Sequence, residues 1–265
     1  MAIVTLTTDF GLEDGYVAAM RGVILTLGPS LTVVDVSHAI APQAIRQAAY
    51  VLSTAAPYYP PDTVHVVVVD PGVGSVRRPM ALRCERGVFV GPDNGVIPAA
   101  LEFLGDTGAW QAVCLTQRKY WRAADVSATF HGRDIFAPVA AHLALGASLS
   151  DVGEGLPDPV RLPDVRLTRT EDGDWAGVVI HVDHFGNLIT NIGGEVATPG
   201  GARVEVAGIS VPLARTYADV AVGQALAYVG SSGLVEVAVR DGSAAARLGV
   251  GVGAAVKLRA LKQEP

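Results

Sequence analysis

The sequence predicts an α/β N-terminal domain with a mainly parallel central sheet, followed by a smaller all-β, barrel-like C-terminal domain. Three observations carry the prediction. Apolar strand runs and amphipathic helix patterns alternate through the first part of the chain. The stretch Gly155–Asp164 then places three prolines close together, and proline fixes φ and removes a backbone donor, so this segment reads as an extended linker. Beyond it come short apolar runs separated by glycine, with no long helical pattern among them. The boundary falls near residue 165, giving domains 1–165 and 166–265.

Each element has its own signal. Ala2–Thr7 reads as the first strand. Asp14–Leu27 reads as a helix, with Tyr16, Val17, Met20, Val23, Ile24 and Leu27 on one face, Asp14 suited to the N-cap and Gly28-Pro29 as the stop. Leu31–Val36 is the second strand and Ala41–Ala56 the second helix, ended by Pro57. Val64–Val69 is a near-continuous valine run, the pattern of a strand buried on both faces. Ala81–Arg83 and Val88–Val90 are short strands around a turn at Glu85-Arg86-Gly87. Pro98–Leu104 and Ile135–Leu145 are helices, the latter stopped by Gly146. The second domain has strands at Ala176–Asp183, Ala202–Val206, Ile209–Pro212, Ala225–Val229, Leu234–Val239 and Ala255–Leu258, with a helical turn at Ala244–Leu248.

Half of the 265 residues are hydrophobic, enough for a sizeable core and against disorder. The formal net charge of −6 speaks against a protein that binds nucleic acid through its phosphates. No apolar run reaches the roughly 18 residues of a membrane span, and no basic segment precedes an apolar one near Met1, so no membrane partner is expected. Cys84 and Cys114 form neither a CxxC pair nor a zinc spacing; they read as small buried residues of a cytoplasmic protein.

Six clusters could carry chemistry. Asp9, in Thr8-Asp9-Phe10-Gly11, follows the first strand, and a carboxylate there can accept two hydrogen bonds from a ribose diol. Asp70, in Val69-Asp70-Pro71-Gly72-Val73-Gly74, ends the valine strand, and Arg77 follows closely enough to fold back and pair with it. Gly91-Pro92-Asp93-Asn94-Gly95 has the composition of a tight turn with positive φ at Asn94-Gly95. In Thr129-Phe130-His131-Gly132-Arg133-Asp134, His131 is placed to face a cleft, while Arg133 and Asp134 suit a helix start or the surface. His181, Asp183 and His184 raise a metal reading, but no second carboxylate-rich ligand set accompanies them; Phe185, Asn187 and Asn191 beside them suit a nucleobase instead. Finally, Ser231 and Ser232, between Gly230 and Gly233, form a corner whose hydroxyls and N–H groups could grip a carboxylate. There is no Walker loop, no full GxGxxG after the first strand and no GxSxG elbow. From the residues alone, the expectation is a polar cleft built from several loops, for a ribose-bearing small molecule.

Those six clusters, in order along nearly the whole chain, resemble the S-adenosylmethionine hydroxide adenosyltransferase family, which is related to the S-adenosylmethionine-dependent fluorinase and chlorinase. The resemblance implies hydrolysis of S-adenosyl-L-methionine to adenosine and methionine, without cofactor or metal, by attack of water-derived hydroxide on ribose C5′. It implies an Asp–Arg–His set at Asp70, Arg77 and His131, with Arg78 adjacent to the arginine chosen by spacing. It implies that Asp9 holds the ribose hydroxyls, that Asp183 and Ser231 hold the amino-acid end, and that Phe185, Asn187 and Tyr217 surround the adenine. The halogenases lack the Asp–Arg–His set; a carboxylate at position 70 would repel a halide yet accept a hydrogen bond from water. The resemblance also implies a homotrimer with sites between subunits.

Overall fold

The computed structural model describes residues 2–106, 110–197 and 202–259. The chain divides into two compact units, Met1–Leu162 and Pro163–Pro265. In the first unit the elements are β1 (Ile3–Thr8), α1 (Tyr16–Leu27), β2 (Thr32–Ser37), α2 (Ile45–Ala55), β3 (Val64–Val68), β4 (Pro79–Cys84), β5 (Gly87–Pro92), α3 (Val96–Phe103), β6 (Gln111–Cys114), α4 (Ala137–Ala144), α5 (Leu149–Val152) and β7 (Glu154–Gly155). In the second they are β8 (Thr168–Arg169), β9 (Trp175–Val182), β10 (Leu188–Gly193), β11 (Arg203–Val206), β12 (Ile209–Pro212), β13 (Ala225–Val229), β14 (Leu234–Val239), α6 (Ala244–Leu248) and β15 (Ala255–Arg259). No described helix is long and apolar enough to cross a membrane.

The first sheet has the order β2-β1-β3-β5-β4-β6-β7. Strands β2, β1, β3 and β5 are parallel, and β4, β6 and β7 extend the sheet in antiparallel pairs. Strand β3 is buried along its whole length, as the valine run predicts, because the sheet carries an apolar cluster on each face. Val66 and Val68 face one cluster with Met20, Ile24 and Phe136; Val67 and Val69 face the other with Leu52, Phe89 and Ile97. The chain passes from β1 outward to β2 and then returns to the other side of β1 with β3. The strand order therefore reverses between β1 and β3, and a crevice opens beyond their carboxyl ends. Asp9 follows β1 and Asp70 follows β3, so both carboxylates sit at that crevice.

The second sheet runs β12-β11-β15-β9-β10-β14-β13, with β8 added to β9. Every strand pair in it is antiparallel. Its ends approach each other where Leu213 bridges Ala227, which nearly closes the sheet around its own core of Val179, Leu188, Val204, Val237 and Leu258.

Four local expectations change. Helix α1 begins at Tyr16 behind Gly15, with no side-chain cap, so Asp14 is not its N-cap. The helix read as Ile135–Leu145 starts with a π-turn, Gly132–Phe136, before α4 proper. In the 91–95 turn only Gly95 takes a positive φ, 93°; Asn94 does not. Cys84 and Cys114 are free thiols and half-buried rather than sealed in the core.

Candidate active site

The first cavity lies at the crevice beyond β1 and β3. It has a volume of about 460 Å³, and Asp9, Phe10, Tyr16, Asp70, Phe130 and His131 are among its walls. A larger hollow of about 780 Å³ opens at the opposite rim of the sheet, beside Thr63, Arg83 and Ser148. The smaller one is the candidate site. It sits at the end of the parallel strands where loops converge, and Asp70 and His131 in its wall both bond one guanidinium, that of Arg77.

That set is built by three loops. Gly72 and Gly74 let the chain turn back after Asp70, with Val73 N–H bonded to the Asp70 carbonyl at 3.2 Å and Gly74 at φ 76°. The turn delivers Arg77 onto Asp70. Arg77 Nε donates to Asp70 Oδ1 at 3.1 Å, and Nη2 donates to Oδ2. The two side chains are 7% and 5% exposed, so this is a desolvated bidentate pair rather than a surface ion pair. Arg77 Nη2 also reaches His131 Nδ1 at 3.0 Å. A guanidinium can only donate, so Nδ1 accepts, and the neutral ring carries its proton on Nε2. The guanidinium lies over the Phe136 ring, 5.4 Å from its centroid, and its Nη1 is buried without a partner. Arg78 points elsewhere, to Asp93 at 2.7 Å and Asp158 at 3.1 Å. The arginine on Asp70 is Arg77.

Electrostatics follow from this packing. Burial pushes the Asp70 carboxyl above its ordinary 3.8, although the charge and hydrogen bonds of Arg77 pull the other way. Burial and then the charge of Arg77 lower His131 below 6.5, so the neutral imidazole dominates near neutrality. Asp134 lies in the first turn of the helix, as read from sequence, but it is fully buried rather than at the surface. Burial alone would raise its pKa. Hydrogen bonds from Arg133 (2.7 Å), the Ser127 N–H (2.8 Å) and Arg122 (2.5 Å) outweigh that and hold it well below the usual carboxylate range. Asp134 thus braces the loop that carries His131. Asp9 accepts the Gln43 N–H at 2.8 Å through Oδ2, which fixes the carboxylate at the cavity wall. Phe10, Tyr16 and Phe130 pack with ring centroids 5.2–5.8 Å apart and line the same wall.

The second unit has its own cavity of about 720 Å³, with Phe185, Asn187, Tyr217 and Arg240 in its wall. Asp183 stands behind it as a strut. Its Oδ1 accepts the N–H groups of Phe185 (2.9 Å) and Asn187 (2.8 Å), and its Oδ2 accepts Asn187 Nδ2 at 2.8 Å. Asn187 Nδ2 also donates to Tyr217 Oη at 3.2 Å. From there hydrogen bonds of 2.5 Å run from Tyr217 to Tyr228 and from Tyr228 to Glu236. Burial, then its bonds to Glu236 and Tyr217, raise the Tyr228 phenol above its ordinary 10. Phe185 is 74% exposed. Ser231 is exposed at the β13–β14 corner and does not line this cavity. Sequence reasoning assigned no role to Tyr228 and Glu236. Alternation within β13 and β14 places Tyr228 opposite Glu236, a signal that appears only once the two strands are paired in register.

Comparison with known proteins gives the architecture a lineage. The SAM hydroxide adenosyltransferase N-terminal domain matches residues 4–153, and the C-terminal domain of the same name matches residues 177–257. The chain belongs to the SAM hydroxide adenosyltransferase family. The "(R)-S-adenosyl-L-methionine hydrolase" of Salinispora tropica is 47% identical over 97% of each chain. A "Fluorinase" of Actinoplanes sp. is more distant, 27% identical over 89% of this chain and 90% of its own. A solved structure of an uncharacterized conserved protein from Thermotoga maritima superposes with a TM-score of 0.88 at 35% identity, over 97% of this chain and all of that one. In this chain the first unit carries the Asp–Arg–His set, and the second has a cavity lined by aromatic and amide groups.

Proposed function

We propose that the chain hydrolyses S-adenosyl-L-methionine to adenosine and L-methionine. The observation that carries the reading is the desolvated Asp70–Arg77 pair with His131 on the same guanidinium. Water bound beside Asp70 donates one hydrogen to the carboxylate, whose burial makes it a better acceptor than an ordinary aspartate. The His131 Nε2–H donates to the water oxygen, and the positive charge of Arg77 favours the oxygen as it gains hydroxide character. The water oxygen attacks ribose C5′ as its proton passes to the Asp70 carboxylate and on to solvent; the C5′–S bond breaks, and its electron pair goes to sulfur, which leaves as neutral methionine. The substrate loses a positive charge in this step, so alignment and water exclusion matter as much as acid–base help. Asp9, fixed by Gln43, takes the ribose hydroxyls. Phe185, Asn187 and Tyr217 contact the adenine; Asp183 and Ser231 hold the amino-acid end. Asp9 and the Asp–Arg–His set belong to one unit and the remaining contacts to the other, an arrangement that suits a homotrimer with sites shared by neighbouring subunits.

The test is incubation of chelator-treated protein with S-adenosylmethionine in ¹⁸O-water. Chromatography should find adenosine and methionine, and mass spectrometry should place the label on the adenosine 5′-oxygen. A folded protein that releases no adenosine overturns the reading. With chloride or fluoride added, no halogenated nucleoside should form.

A further inference from the structure

The turn Gly91–Gly95 reads from sequence mainly as a tight turn, one that could also line a site. In the fold it touches the backbone beside both members of the Asp70–Arg77 pair. On one side, Asn94 Nδ2 donates to the carbonyl of Val69, the residue before Asp70, at 2.8 Å. On the other, the Asp93 N–H donates to the carbonyl of Arg78, the residue after Arg77, at 2.9 Å. Arg78 Nε returns a hydrogen bond to Asp93 Oδ2 at 2.7 Å. Asp93 is only 3% exposed, and its other oxygen accepts the Val160 N–H at 2.7 Å. The turn is itself held. Asn94 Oδ1 accepts the Val96 N–H at 3.2 Å, and Gly95 adopts φ 93° with Leu162 packed so closely that a Cβ would stand 2.8 Å from its Cδ2. Arg78, just before β4, bonds Asp93 while its neighbour Arg77 bonds Asp70, so anchoring Arg78 on Asp93 fixes the backbone from which Arg77 reaches Asp70.

We infer that Asp93 and Asn94 are positioning residues for the Asp70–Arg77 pair: one rigid turn sets the separation of the two backbones that carry it. This rests on the hydrolase reading above. Neither residue touches the reacting atoms. Their loss should therefore slow the chemical step and spare substrate affinity, since misplacement by about 1 Å costs roughly a hundredfold in rate.

Two variants isolate the contacts. Asn94→Ser keeps an oxygen near the Val96 N–H and loses the reach to Val69. Asp93→Asn keeps an acceptor for Val160 and loses the charge pair with Arg78. Steady-state turnover of S-adenosylmethionine, with binding stoichiometry from calorimetry on the same samples, should show kcat down roughly tenfold to a hundredfold and KM within about twofold. In ¹H NMR, the His131 titration midpoint should rise in both variants as Arg77 moves away from Nδ1, while those of His65 and His142, held down by burial alone, stay where they are; a generally loosened fold would raise all three. A kcat within about twofold of the parent in both variants overturns the inference. So does a fall in kcat that matches the fall in binding stoichiometry, since that reports fewer folded molecules. If the parent protein itself releases no adenosine, the hydrolase reading fails, and the His131 titration alone decides: an unmoved midpoint overturns the positioning role, a raised one supports it.

Discussion

Arg77 bonds both Asp70 and His131, and it is almost fully buried while doing so. Removing one partner of such a pair strands the other charge. Arg77→Ala should destabilise the fold by about 3–5 kcal/mol in urea titration and abolish turnover. Asp70→Asn keeps the shape but loses the charge; it should lower kcat by roughly a hundredfold or more while binding of S-adenosylmethionine, measured by calorimetry, is largely retained. The pH profile has a defined sign. Protonating Asp70, raised from 3.8, removes the water acceptor; protonating His131, lowered from 6.5, blocks Nδ1 and sets a second positive charge beside Arg77. Both losses occur on the acid side, so kcat/KM should fall with decreasing pH below about 6.5 and show no base limb from these groups. Much of this site was legible in the sequence. Asp70, Arg77 and His131 sit at loops flanked by glycine after strong strand or before strong helix signals. Asp134 was not: an acid beside an arginine looks like surface until the fold wraps Arg122, Arg133 and the Ser127 N–H around it.

At the scale of elements, β1 and β3 are joined by a buried polar contact as well as by their ladder. His65 pairs with Thr5 in register, and its Nδ1 lies 2.8 Å from Thr5 Oγ1. The ring stacks on Phe89 at 5.0 Å, and burial lowers its pKa to about 4. The folded state therefore resists protonation that the unfolded chain accepts near 6.5. Stability is fully present above about 6.5 and should fall as pH drops toward 4, by on the order of 3 kcal/mol at most. Urea midpoints between pH 7 and pH 4.5 check this, and His65→Gln should flatten the slope. The loops after β3 and before the π-turn are packed just as tightly: a Cβ on Gly74 would meet the Ala128 carbonyl oxygen at 2.3 Å, at φ 76°. Gly74→Ala should cost about 1–3 kcal/mol in thermal melts and lower turnover, because it pries the Arg77 loop from the His131 loop. Elements were readable where apolar period and glycine punctuation agreed, as for β12, β13 and β14. Strand β10 was missed because Thr190 and Asn191 interrupt its apolar run, and β6 because four residues give no period.

At the scale of the molecule, the alternation of elements and the proline stretch foretold an α/β unit and an all-β one. Short glycine-separated strands foretold a barrel-like second unit, but not which strands meet: β12 and β13, consecutive in the chain and at opposite ends of the sheet, come together at Leu213 and Ala227. The proposed homotrimer is tested at this scale. Sedimentation should find three chains per particle, and a monomeric mutant should retain both folded units yet turn over no substrate. The hydrogen-bonded phenols of Tyr217 and Tyr228, with ring centroids 4.9 Å apart beside the second cavity, have a use outside chemistry. Their near-ultraviolet absorption should shift when Asn187, which donates to Tyr217, changes partners. A difference spectrum on adding S-adenosylmethionine should therefore report occupancy of that cavity, without a label and without waiting for product.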